Sequence, residues 1–438
     1  MPNLTQYVQV LAQVRSAVAD NIKTDITSVA ESVIKEVAQR TITEQGLHCE
    51  IPDDQLVDYL YHDMAGLSFI TRDRLFEQEG FEEININAWN DVEIVVRGER
   101  KKTEYSFLNP QHAIDVHKRM LRRTGTILND ASPRATADIG GGIRITVLKV
   151  PLVDKSVAVA SSIRKVNTQT ISREALIKSG TLTETMARFL LMCIMHGVSM
   201  CISGETGSGK TTLAGCLLAE ASQTLRTYTI EEGSREWQFV RTDPESGKIL
   251  NSVVHTKTRL NEDDSTQGID QEALVKDSLR FDPDIIAPGE VRGREAFEVM
   301  GVSNTGHTVI TTTHSNGTLD TPERIVTLAK KAFPMDDSTL FGMAARAFPI
   351  LIHMELGADR KRRVTEIREV TRYHNGEMES TLLWAFDVED NIYKEDGTCE
   401  VKGDWQMLRG ISENLQRRLL KKGVSRSEMT QFLRSNHD

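Results

Sequence analysis

From Val198 the chain reads Val-Ser-Met-Cys-Ile-Ser, then Gly204-Glu205-Thr206-Gly207-Ser208-Gly209-Lys210-Thr211, then a helix-forming run from Thr212 to Glu220. The octet matches G-x-x-x-x-G-K-[ST] at all four fixed positions, between a predicted strand and a predicted helix. No other stretch restricts the fold as tightly. The glycines let the backbone turn its N–H groups around a phosphate, and the following helix aims its positive end at the anion. In this reading Lys210 neutralises β- and γ-phosphates and Thr211 offers its hydroxyl to Mg²⁺. Gly204 to Gly209, with Thr212, complete the cradle. A GTPase would also carry an Asn/Thr-Lys-x-Asp tetrad after a strand; none is present, which favours ATP.

Three further segments supply what such a loop needs. Asp284-Ile285-Ile286-Ala287-Pro288-Gly289-Glu290-Val291-Arg292 is an apolar strand that ends in an acid. A strand of that kind delivers a carboxylate beside Mg²⁺, and Glu290 is the candidate general base for the attacking water. Thr229-Ile230-Glu231-Glu232 ends another apolar strand in two carboxylates suited to the metal's water shell. The candidate metal set is therefore Thr211, Glu231, Glu232 and Glu290. Thr305-Gly306-His307 and Thr313-His314 bracket a further strand, and a histidine at a strand end can donate to a γ-phosphate and report its loss.

The chain has 438 residues, 39% of them hydrophobic and 26% charged, enough for two or three cored domains. Its net charge of −10 disfavours direct nucleic-acid binding, and Arg360-Lys361-Arg362-Arg363, the one compact basic run, reads as a solvated turn or strand end. The five scattered cysteines form no C-x-x-C pair, as in a reducing compartment. The N-terminus lacks a signal-peptide pattern, and the longest apolar run, Phe189 to Met195, is far short of the ~18–20 residues that cross a bilayer. The expectation is a cytoplasmic chain whose membrane association, if any, is peripheral.

Residues 1–50 read as an amphipathic helical arm, with Ser28 to Glu31 as a capping box followed by apolar Val29, Val33, Ile34 and Val37. Residues 51–165 mix strands (Ile84–Asn87, Val92–Val96), a helix near Ala113–Leu121 and a glycine turn at Gly140–Gly142, giving a small α+β domain. Polar residues 166–182 suit a linker. In 183–371 helices and apolar strands alternate, which predicts an α/β domain with a mainly parallel sheet. Residues 372–438, holding Trp384, Trp405 and a predicted helix Ile411–Lys422, are expected to form an appended module with its own small core.

With these motifs in place, the sequence resembles the secretion ATPase superfamily, the motors of type II and type IV secretion, type IV pili and conjugation, and most of all the branch serving Flp pili and conjugative type IV secretion. Gly204–Thr211 matches the Walker A loop, Ile230-Glu231-Glu232 looks like the aspartate box, Gly289–Gly293 looks like the atypical Walker B, and Thr305–His307 with Thr313–Asn316 looks like the histidine box. Weaker likeness at Phe81–Asn87 and Ser162–Lys165 extends it over about residues 80–370. The resemblance implies a RecA-like ATPase domain preceded by a PAS-like domain, a homo-hexamer, and an inner-membrane platform protein as partner. It also implies arginines that complete the site: Arg144 and Arg164 toward phosphate, with Arg280 and Arg292 supporting Walker B. Some positions depart from the family pattern. Glu232 replaces the usual aspartate, and Pro288 should end its strand early or cost it one ladder bond. The histidines are seven apart, as in pilus motors, whereas conjugation-type members often place them eight apart. No tetracysteine motif of the type II subgroup is present. Two rivals are a nucleotide-switched scaffold with little hydrolysis and a DNA-translocating ATPase. Lys210, Glu290 and both histidines weigh against the first, and the charge of −10 gives the second no help.

Overall fold

The computed structural model describes residues 4–22, 29–122, 124–165, 171–233, 235–259, 268–374 and 376–433. The chain divides into two compact units, Met1–Asn167 and Thr168–Asp438.

The first unit runs α1 (Leu4–Asn21), α2 (Glu31–Gln45), α3 (Asp53–Met64), α4 (Phe69–Arg72), β1 (Phe81–Ala88), β2 (Asp91–Val96), β3 (Glu99–Lys102), α5 (Pro110–Arg122), β4 (Arg134–Asp138), β5 (Ile143–Lys149) and β6 (Val159–Lys165). Apolar residues at helical spacing (Val10, Val14 and Val18 on α1; Ile34, Ala38 and Ile42 on α2; Leu56, Leu60 and Met64 on α3) meet in one core. The expected arm is therefore part of a helical cluster that reaches residue 64, because α3 continues the same apolar stripe. Helix α2 begins after Ala30 with no side-chain cap; Ser28, the other half of the expected capping box, lies outside the described residues. The six strands form an antiparallel sheet in the order β3-β2-β1-β6-β5-β4. Helix α5 packs Ala113, Val116, Met120 and Leu121 onto inward-facing Ile84, Ile145, Val147 and Ile163. This is the expected small α+β domain.

The second unit runs α6 (Arg173–Lys178), α7 (Glu184–Met195), β7 (Met200–Gly204), α8 (Lys210–Ala221), β8 (Thr227–Glu231), β9 (Val253–Lys257), α9 (Gln271–Ser278), β10 (Ile285–Pro288), α10 (Ala296–Asn304), β11 (Thr308–Thr313), α11 (Asp320–Ala329), α12 (Asp337–Ala347), β12 (Ile350–Leu356), β13 (Arg362–His374), β14 (Glu377–Tyr393), β15 (Cys399–Met407), α13 (Glu413–Lys421) and α14 (Arg426–Met429). The sheet order is β15-β14-β13-β12-β7-β11-β10-β8-β9. From β12 to β9 all neighbours are parallel. Strands β7, β8, β10 and β11 are buried at every residue, which is why they read as unbroken apolar or threonine runs rather than alternating ones. The fold is α/β, with a RecA-like parallel core.

Two expected boundaries move. In the supposed linker, Ser172 caps α6, and Leu176 and Leu182 enter the main core. Residues 171–182 therefore fold onto the second unit, and 166–170 lie outside the described residues. The boundary at 371/372 falls inside β13, which pairs with β12 on one side and β14 on the other. Trp384, Leu415, Leu419 and Phe432 share the core of β7 and α7, with Phe189 packed between Trp384 and Phe432. The C-terminal residues extend the parallel sheet instead of building a separate module, because hairpin pairing to β12 buries their apolar face.

Candidate active site

Four of the parallel strands carry candidate residues at the same end. Gly204 ends β7, Glu231 ends β8, Gly289 and Glu290 follow β10, and His314 follows β11. Crevices outside the carboxyl ends of parallel strands are where α/β sheets bind ligands.

The loop from Gly204 to Gly209 leads into α8. Gly204 has φ +147°, and a Cβ there would stand 2.2 Å from the Met354 carbonyl oxygen on β12, so only glycine fits. Lys210 is nearly buried and folds its Nζ back onto the carbonyls of Gly204 (2.9 Å) and Glu205 (2.7 Å). Burial lowers its pKa, opposed by the Glu290 charge. Ser208 Oγ donates to the Glu205 carbonyl at 2.9 Å, and Arg362 Nε donates to the Gly207 carbonyl at 2.7 Å. The basic run is thus not wholly solvated. Arg363 is buried against Asp359, Arg360 and Lys361 are exposed, and Arg362 lies on the phosphate loop.

Glu290 is bracketed. Its Oε2 accepts from Arg292 Nη2 at 2.6 Å, and Arg292 Nη1 donates to Glu232 Oε2 at 3.2 Å. His314 Nε2 lies 3.0 Å from Glu290 Oε1, yet that oxygen is buried without a hydrogen-bond partner among the described residues. An orphaned carboxylate oxygen at this position is an acceptor for a water proton. Burial lowers the His314 pKa, as does Lys210, while Glu290 acts the other way. Strand β10, which leads into Walker B, ends at Pro288, and β11 takes over the pinning. The hydroxyls of Thr311, Thr312 and Thr313 donate to the carbonyls of Pro288, Gly289 and Val291 at 2.8, 2.8 and 3.1 Å. Sequence reasoning missed this; the run of three threonines at successive positions of a buried strand was the signal.

Glu231 is buried. Its Oε1 accepts the backbone N–H groups of Glu236 (2.6 Å) and Trp237 (3.1 Å), while Oε2 is buried with no partner among the described residues. Burial raises its pKa to about 7 against the pull of those two amides. Among the described residues no group of three or more His, Cys, Asp or Glu forms a metal cage. The donor set still fits Mg²⁺, which keeps several waters and leans on phosphate oxygens, one hydroxyl and a carboxylate. The Thr211 hydroxyl and the free oxygen of Glu231 supply that chemistry. Glu232 differs: it is half-exposed and serves as a charge partner of Arg292.

Two candidates lie elsewhere. His307 precedes β11, about 20 Å from that strand's carboxyl end at ~3.3 Å per residue, with its carbonyl accepting from Ser199 Oγ. The two histidines lie at opposite ends of β11, and of the two it is His314 that meets Glu290. Arg280 precedes β10 at its amino end and pairs with Asp277, away from Walker B. In the first unit, Arg144 on β5 pairs directly with Arg164 on β6, in a row with Glu83 on β1 and Asp138 on β4.

The family model described as type II/IV secretion system protein matches residues 133–376, more than half of the chain. The chain belongs to that family. A Mycobacterium tuberculosis protein provisionally named as a conjugal transfer protein is 24% identical over 323 residues, spanning 72% of this chain and 87% of its own. The conjugal transfer protein TrbB of Rhizobium radiobacter is 28% identical over 239 residues, 54% of this chain and 67% of its own. The X-ray structure of the ATPase DotB from Legionella pneumophila is 19% identical, covers 68% of this chain and 80% of its own, and has a TM-score of 0.48. Among the described residues no helix of this secretion-family chain is long and apolar enough to cross a membrane.

Proposed function

We propose that this secretion-family chain is a Mg²⁺-dependent ATP hydrolase, a homo-hexameric motor at the cytoplasmic face of the inner membrane. With a membrane platform protein it powers pilus assembly or type IV secretion. The observation that carries the reading is the meeting of Lys210, Glu290, Arg292 and His314 around the mouth of the phosphate loop. The family membership and the conjugal-transfer relatives support the motor reading.

When bound, Mg²⁺ would be held by the Thr211 hydroxyl and by Glu231, and would supply charge neutralisation to the triphosphate. Lys210 exchanges the carbonyls of Gly204 and Glu205 for phosphate oxygens. Glu290 accepts a proton from water at its unpartnered oxygen while the water oxygen bonds to the γ-phosphorus and the bond to the ADP oxygen breaks. Arg292 holds the other oxygen of Glu290, which fixes the direction of the free one. His314, between Glu290 and the loop lysine, is placed to register the γ-phosphate. Arg144 and Arg164 are proposed as further phosphate-facing cations on the family resemblance alone; the row they share in the first unit's sheet also carries Glu83 and Asp138. Equilibrium binding of a fluorescent ATP analogue tests the reading: Lys210→Ala should weaken it by roughly tenfold or more, the scale of one desolvated charge contact. Unchanged affinity would remove the loop from the account.

A further inference from the structure

Residues 235–239 run under the phosphate-loop helix, and Trp237 is their anchor. Its ring is almost fully buried, in the same core as Leu213, Ala214, Cys216 and Leu217 of α8. Its backbone N–H is held by Glu231 Oε1 at 3.1 Å, and its indole Nε1 donates to the backbone carbonyl of Thr211 at 3.1 Å. One residue thus joins the carboxylate at the end of β8 to the first turn of α8, the turn that presents the Thr211 hydroxyl and Lys210.

The opposite surface is shaped to receive it. Gly215 lies one helical turn after Thr211, where glycine is unfavourable for a helix interior. A Cβ at Gly215 would meet Trp237 Nε1 at 3.0 Å and Cδ1 at 3.1 Å, tighter than most side-chain contacts, so the indole would have to give way by a few tenths of an ångström. The helix is bare at the position where the indole N–H must pass to reach the carbonyl. The far side of the segment is pinned as well. Phe239 N–H donates to His255 Nε2 at 3.2 Å, and Asn251 Nδ2 donates to the Phe239 carbonyl at 2.8 Å. Trp237 is therefore fixed from three sides and pushes on one.

We propose that Trp237, seated against Gly215, is a positioning residue that sets the register between Glu231 and Thr211 and thereby the site's affinity for metal-bound nucleotide. The inference rests on the reading of Thr211 and Glu231 as Mg²⁺-facing groups and adds a residue that none of the motifs contains. Loss of the indole N–H frees the first turn of α8 to shift relative to Glu231. Phosphate binding by the loop amides does not depend on that register. Metal-bound nucleotide does.

The test is binding of a directly excited fluorescent ATP analogue to the full chain, read by anisotropy, with Mg²⁺ and with a chelator. Trp237→Phe keeps the ring and removes the donor; Gly215→Ala keeps the donor and displaces it. Each is expected to weaken binding with Mg²⁺ by roughly three- to tenfold, the range of one hydrogen bond, and to leave metal-free binding within about twofold. In the double variant Gly215→Ala adds less to Trp237→Phe than it costs alone, because the contact with Nε1 goes with the donor while a ring carbon still meets the new methyl. Equal loss with and without Mg²⁺, or no loss in either variant, overturns the inference, since a packing role alone would not separate the two conditions. If the native chain binds the analogue but Mg²⁺ changes nothing, the metal assignment of Thr211 and Glu231 fails and takes this inference with it. If the native chain binds no nucleotide, the ATP reading itself has failed.

Discussion

The His314 Nε2 atom lies 3.0 Å from Glu290 Oε1 across the carboxyl ends of two adjacent parallel strands, without a hydrogen bond between them. Contact without alignment leaves the carboxylate oxygen unspent. Arg292 fixes the other oxygen, so the pair forms a small, oriented acceptor beside Lys210. His314→Ala is expected to lower kcat by roughly ten- to a hundredfold, the scale of a positioned polar group acting in the transition state, with ATP affinity little changed. Steady-state kinetics with separate binding measurements checks it.

His307 provides the matched control. Its place at the amino end of β11 removes it from the chemistry, so His307→Ala should leave kcat within about twofold of native. Equal losses at His307 and His314 would mean that the two histidines serve one site, contrary to the direction of the strand.

The sheet extension makes a prediction about truncation. Strands β13, β14 and β15 with α13 bury Phe189 and the back of β12. A chain ending at residue 371 would expose those apolar residues and cut β13 short. It should therefore be insoluble or melt far below the full chain, whereas a separable module would leave the melting temperature unchanged. Differential scanning calorimetry distinguishes the two.

Acid should destabilise the first unit through His117. Its ring is buried, with Nδ1–H donating to the Ala113 carbonyl at 2.7 Å and Nε2 accepting from Ser161 Oγ at 2.8 Å. Burial depresses its pKa from 6.5 to about 4. The unfolded chain therefore binds the extra proton first as pH falls. The neutral ring's contribution is complete above about 6.5 and is lost progressively toward 4, at most roughly 3 kcal/mol at 1.36 kcal/mol per unit. Denaturant melts at pH 7 and pH 4.5 should show the fall, and His117→Gln should flatten it.

Much of this was legible in the sequence because the site lives in contiguous motifs at strand ends. The strands expected before the phosphate loop, before Glu231–Glu232, before Glu290 and between the two histidines are β7, β8, β10 and β11. What escaped was whatever depends on tertiary partners. The spacing of seven from His307 to His314 shows two histidines but not that a strand separates them by its full length. The polarity of 166–175 suggested a linker, while Leu176 and Leu182 were already core residues. Trp237 and Arg362 sit outside every motif, and their meaning comes from the carbonyls of Thr211 and Gly207 that they reach through the fold.

The most direct test of the central claim is phosphate release from Mg²⁺-ATP by the native chain and by Glu290→Gln, with the assembly mass followed by light scattering. The account predicts a ring that turns over ATP in the native protein, and a variant that assembles and binds ATP but releases phosphate at least roughly a hundredfold more slowly. Native and variant rings that are equally inactive, or equally active, would contradict it.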